Sequence, residues 1–193
     1  MKTSNTSLRT MIPVFMLLTL IILPVSVHAH VTPSIRLISF KDAVRKIVQG
    51  GDLRLKRVTI NDEQATQMKA FGNWDLLEEY YNFIIKYDEN HSLSRVVVQL
   101  KEYSRHGTIV IAVGMNSEGT VVNAFVTDVQ NEVLQWIQPL LQDNFMQRFK
   151  GADTNMSPTT VLEGINNVMT RSYAKRIANA VKRSTQLFKV VFK

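Results

Sequence analysis

The sequence predicts an α+β fold, an antiparallel β-meander packed with helices. Three observations carry that expectation. Successive β-branched runs between residues 80 and 127 are separated by short polar turns. Helical apolar periodicity brackets them, at 39–49 and again after Asp128. The composition, 45% apolar and 20% charged over 193 residues, supports one modest core and is too apolar for a disordered chain.

Taken in order, the chain opens with Lys2 and Arg9, then an apolar run from Met11 to Leu23, the breaker Pro24 and the small-residue ending Val27-His28-Ala29. This layout predicts a signal peptide over 1–29 with cleavage after Ala29. The run is shorter than the roughly 20 residues of a membrane-spanning helix; an uncleaved N-terminal anchor is the alternative. Either way a periplasmic or secreted location is expected. Residues 30–57 read as an N-terminal helical segment, since Phe40, Ala43, Val44, Ile47 and Val48 share one helical face that ends at Gly50-Gly51. The main domain is expected over 58–193. It begins with a short strand at Val58–Ile60 that runs into a helix reaching Phe71.

Strands follow at Tyr80–Tyr87, Ser94–Lys101, Thr108–Met115 and Thr120–Thr127, with hairpin signals at Asp88-Glu89-Asn90-His91 and Asn116-Ser117-Glu118-Gly119. Beyond Asp128 the period becomes helical. Val133, Trp136, Ile137, Leu140, Leu141, Phe145 and Phe149 fall on one face, and Pro139 predicts a kink or two short helices. A last helix is expected from Ser172, with Tyr173, Ile177, Val181 and Phe188 on its apolar side.

The residue inventory excludes much chemistry. With no cysteine there are no disulfides, thiolate metal sites or cysteine nucleophiles. No G-x-S-x-G, H-E-x-x-H, P-loop or G-x-G-x-x-G occurs, so hydrolase, zinc-protease and NTPase readings have no support. No catalytic residue, protein-held metal or nucleic-acid partner is expected. An N-terminal copper site at His30 would need a second histidine, and neither His91 nor His106 sits in a ligand pattern. The adjacent carboxylates Glu78-Glu79 and Asp88-Glu89 read as solvated charges.

Charge is uneven. Arg171, Lys175, Arg176, Lys182, Arg183, Lys189 and Lys193 share the last stretch with no acid. Such asymmetry marks an anion site, an acidic partner or simply a solvated helix face. The turn into the last helix is the most suggestive segment. The first amides of a helix lack internal partners and carry partial positive charge, so they favour a phosphate, and Arg171 would reinforce that preference.

From about Val58 to Phe188 the chain resembles the periplasmic FMN-binding domain family, which includes the C subunit of the sodium-translocating NADH:quinone oxidoreductase and its Rnf counterpart. His106-Gly107-Thr108-Ile109 looks like that family's entry to a strand, 113–121 like its hairpin, and Phe145–Gly151 like its F-x-x-x-F-x-G helix end. Its D-x-x-S-G-A-T signature aligns with Glu163 through Met169, and Ser172 and Ala174 match the start of the following helix. The resemblance implies FMN, with its phosphate at Asn166, Asn167, Val168, Met169, Thr170, Arg171 and Ser172. The ring would lie on the sheet near Gly107 or the Gln130–Glu132 loop. Met169 takes the place of the acceptor threonine and has no hydroxyl, so the flavin would be held noncovalently. The implied function is extracytoplasmic electron transfer with a redox partner protein or a membrane electron-transfer complex. The alternative is a flavin-free accessory protein that docks its basic C-terminal helix on such a complex or on an anionic membrane surface.

Overall fold

The computed structural model describes residues 33–74 and 78–193. The expected signal segment and His30 lie outside them. Six strands form one antiparallel sheet in the order β1-β6-β5-β4-β3-β2: β1 Ser34–Arg36, β2 Leu53–Thr59, β3 Tyr80–Tyr87, β4 Leu93–Ser104, β5 Gly107–Asn116 and β6 Val121–Gln130. Four α-helices accompany them: α1 Phe40–Val48, α2 Asp62–Ala70, α3 Asn131–Gln142 and α4 Val168–Phe192. The α+β meander expected from the sequence is the architecture observed.

Val58 lies inside β2, and the segment ahead of it supplies both edges of the sheet and the helix between them. β1 is only three residues long and pairs with the end of β6, too short to leave a periodic signal. In β2 the alternation Leu53-Arg54-Leu55-Lys56 is present, but its side chains are largely exposed at the sheet edge. Arg54, Lys56 and Arg57 discourage further strand addition there.

Strand alternation sorts the core. One face of β3–β6 carries Phe83, Ile85, Val96, Val98, Ile111, Val113 and Met115, which pack against α3 and α4. The opposite face presents Ile84, Val97, Val122 and Phe125 to Val44, Ile47 and Val48 of α1. α1 is capped by Ser39, whose hydroxyl accepts from the Asp42 amide at 3.1 Å and donates to the Asp42 carboxylate. That hydrogen bond holds the exposed Asp42 carboxyl below its usual range. α4 spans about 37 Å at 1.5 Å per residue. It buries Tyr173, Ile177, Val181, Leu187 and Phe188 along its length. α3 runs through Pro139 without breaking, and a separate 3₁₀ turn, Phe145–Phe149, follows it.

The α1 contact is tight at one point. A Cβ on Gly114 of β5 would stand 2.1 Å from Ile47 Cγ2. Gly114→Ala is therefore expected to lift α1 from the sheet and destabilise by about 1–3 kcal/mol through overpacking. Ile47→Ala in the same chain should recover part of that loss, a coupling read from urea midpoints of both singles and the double. Additive losses would show that the glycine is not limited by the helix.

Candidate functional site

The turn before α4 is anchored by the buried side chains of Val161 and Leu162, with Ile165 against the same core, and its carbonyls are held by two arginines. Arg148 donates to the carbonyls of Val161 and Glu163 at 2.9 and 2.8 Å. Arg171 donates to those of Leu162 and Ile165 at 2.8 and 3.2 Å. Each guanidinium thereby fixes two carbonyls of the loop, leaving the chain between Val161 and Asn167 in one shape.

The helix begins four residues earlier than the sequence suggested. Asn167 is its cap, and the side chain accepts from the Thr170 amide at 2.9 Å. The amides of Val168 and Met169, in the first turn, have no acceptor within the helix. Ser172 stands a full turn in and exposed, so its amide is committed to the helix ladder. This corrects the placement of Ser172 at the helix start. Asparagine caps as well as serine, and reading Ser172 as the cap missed it.

A cleft of about 300 Å³ opens between this turn and α3, lined among others by Gln135, Trp136, Asp143, Arg148, Asn166, Asn167 and Thr170. Of the residues expected to hold a phosphate, Asn166, Asn167 and Thr170 meet there. Val168 is 80% exposed and outside the lining. Met169 packs against the core, and Arg171 is engaged with the loop carbonyls.

Trp136, which the sequence placed only on an apolar face, forms one wall. Its ring stacks on Tyr173 at 5.4 Å and 6°, with His106 at 5.2 Å. The Tyr173 hydroxyl and Ser104 Oγ are 3.2 Å apart, tying the wall to the β4–β5 turn. Gly107 offers no room for a ring. The Gln130 side chain covers it and accepts from the Thr108 amide at 2.8 Å, so a Cβ on Gly107 would collide with Gln130.

A second polar cluster, absent from the sequence expectations, lies where α4 crosses β4. Glu102 is 8% exposed and ion-paired with Arg183. The Arg183 guanidinium lies over the Trp74 ring at 5.5 Å, and Trp74 Nε1 donates to Gln186 at 3.2 Å. Arg176, one heptad earlier, donates to the Tyr103 carbonyl at 2.9 Å. Beside them, burial raises the Tyr81 phenol above its usual value, while the Glu78 amide on its oxygen pulls the other way. The signal was present: Glu102 has the inward parity of Val96, Val98 and Leu100, which demands a buried cation. No group of three or more His, Asp or Glu side chains arranged to hold a metal occurs among the described residues.

Because Glu102 and Arg183 are both largely buried, removing either alone leaves an uncompensated charge. Glu102→Leu is expected to cost about 3–5 kcal/mol, and Glu102→Leu with Arg183→Met to recover most of it. Chemical denaturation of the two singles and the double tests this; a double mutant as unstable as the sum of the singles would refute it. No model of a known protein family matches the chain, and among curated proteins and solved structures none gives a match.

Proposed function

We propose that the protein binds FMN noncovalently in the cleft between α3 and the start of α4 and serves extracytoplasmic electron transfer. The observation that carries this reading is the meeting of an aromatic wall and a helix N-terminus in one cleft of mixed lining, Trp136 on one side and Asn166, Asn167 and Thr170 on the other. The residues fit a phosphate. Within the lining the Asn166 and Asn167 side-chain amides and the Thr170 hydroxyl are donors, Asp143 is the one carboxylate, and Arg148 contributes a cation whose remaining donors are not spent on the loop. The arginine-held turn keeps these donors in place before any ligand arrives, which lowers the ordering cost of binding. A cleft of about 300 Å³ is at the small end for ligand sites, so a ring would be gripped on one side and left accessible on the other. That accessibility suits exchange with a partner protein. Bound FMN supplies one- and two-electron redox chemistry, and the chain contributes no acid, base or nucleophile to it. The extracytoplasmic location rests on the charged, apolar and small-residue order of 1–29.

Soaking the purified protein with FMN is expected to leave a retained visible flavin band and to quench tryptophan emission. Trp136→Ala should weaken binding about threefold to tenfold through loss of ring contact. Asn167→Asp keeps a competent cap but sets a carboxylate where the phosphate would sit, so it should remain as stable as the parent and lose most FMN binding. Absence of any retained band in the parent protein rejects the reading.

The docking alternative is supported by one feature. Lys175, Lys182 and Lys189 recur every seven residues and so share a stripe along α4, whereas Arg171, Arg176 and Arg183 are engaged inside the molecule. Replacing the three lysines with Glu is expected to abolish salt-sensitive association with an acidic partner without unfolding the helix. Unchanged pull-down at low salt would remove this second reading.

A further inference from the structure

On the opposite face of the sheet from the cleft described above, α1 ends over a concave surface of about 530 Å³. Four cations line it, Lys46, Lys86, Arg95 and Lys150, together with Gln49 and Asn123; no carboxylate contributes. None of the four takes part in an ion pair among the described residues.

Their placement follows from the sheet. Ile84 and Val97 face α1, so Lys86 and Arg95, two residues away on their strands, face the same side. The register sets them directly opposite one another across β3 and β4. Like charges in that relation oppose folding, and nothing in the apolar packing requires them. Lys86 is held rather than free-swinging: its stem lies against Gly51, where a Cβ would come within 2.8 Å of Cε, and its Nζ donates to the Val48 carbonyl at 3.2 Å. That bond covers the carbonyl end of α1, which would otherwise repel an anion. Lys150 arrives from the far side, where Gly151 and Ala152 pair with Val121 at the start of β6.

We propose that this surface binds a ligand with clustered phosphate oxygens, at least two phosphates or their equivalent in negative charge. One phosphate answers the opposed Lys86 and Arg95, and Lys46 and Lys150 on either side answer the next. Gln49 and Asn123 add neutral donors. The site stands independently of the FMN reading, on another face and with other residues.

The experiment titrates sodium pyrophosphate into the full chain by calorimetry at low salt, and in parallel sediments the protein with phosphatidylcholine vesicles with and without phosphatidic acid. The expected result is saturable binding that falls steeply with salt, weakened about tenfold by Arg95→Gln or Lys150→Gln and lost when both are combined. Binding of pyrophosphate identifies a soluble ligand. Binding confined to phosphatidic-acid vesicles and lost in the same double variant places the phosphates on a lipid headgroup. Arg95→Gln is also expected to raise the ligand-free melting temperature by about 1–3 °C at low salt, because it removes the opposed charge. Full binding by the double variant, no binding of either probe by the parent, or a lowered melting temperature for Arg95→Gln overturns the proposal.

Discussion

A sheet buried on both faces has to be covered twice, and this constraint organises the whole chain. Strand β5 is the clearest case: from Ile111 to Met115 every residue is buried, whichever way it points. One cover is α4, long enough to lie across several strands and seated with α3 over the larger cluster. The other is α1, nine residues that reach the smaller cluster through Val44, Ile47 and Val48. Because β1 and β2 sit at opposite edges, the chain must cross the sheet between them, and a helix laid across the second face accomplishes the crossing and the cover together. Gly114 is where that helix comes closest.

The candidate cleft follows from how the first cover is anchored. α4 begins at Val168, five residues ahead of Tyr173, the first fully buried apolar side chain of its stripe, and the chain reaches it from the 3₁₀ turn at Phe145–Phe149 through the loop before Asn167. That loop has amide–carbonyl bonds of its own, Thr160 to Ser157, Leu162 to Thr159 and Ile165 to Leu162, and Arg148 and Arg171 add donors to the carbonyls of Val161, Leu162, Glu163 and Ile165. The cleft lies between the end of this loop and α3. Neighbouring residues therefore face different ways: Arg171 is used by the loop, while Asn166, Asn167 and Thr170 line the gap.

The fold was legible where a period could repeat. Strands β3 to β6 announced themselves through β-branched runs, and α1 and α4 through apolar stripes, because burial on a regular element leaves a regular trace. The three residues of β1 could leave none, and β2 is an exposed edge whose pattern has no buried side to sharpen it. The α4 start was displaced by a competing cap: both Asn167 and Ser172 are good capping residues, and the tie is broken by the loop geometry. Trp136 shows a different limit. Its apolar character placed it on the right face of α3, but its neighbours His106 and Tyr173 come from distant parts of the chain.

Charge was the least legible property, since a sequence gives its amount and position but not its partner. The cations gathered at the C-terminus invite a reading as one basic surface. In the folded chain they divide by helical phase. Arg176 and Arg183, seven residues apart, turn toward β4 and are used up by the Tyr103 carbonyl and the Glu102 carboxylate, while Lys175, Lys182 and Lys189 keep to another stripe. The choice of side chain agrees with this division: arginine, whose planar fork satisfies several acceptors at once, stands at the inward positions, and lysine stands on the outer stripe. Conversely, Lys46, Lys86, Arg95 and Lys150 are scattered over a hundred residues and formed no visible run, yet strand pairing and the end of α1 bring them to a single surface. Electrostatic function in such a fold is a property of register and helical phase, and net charge along the chain is a poor guide to it.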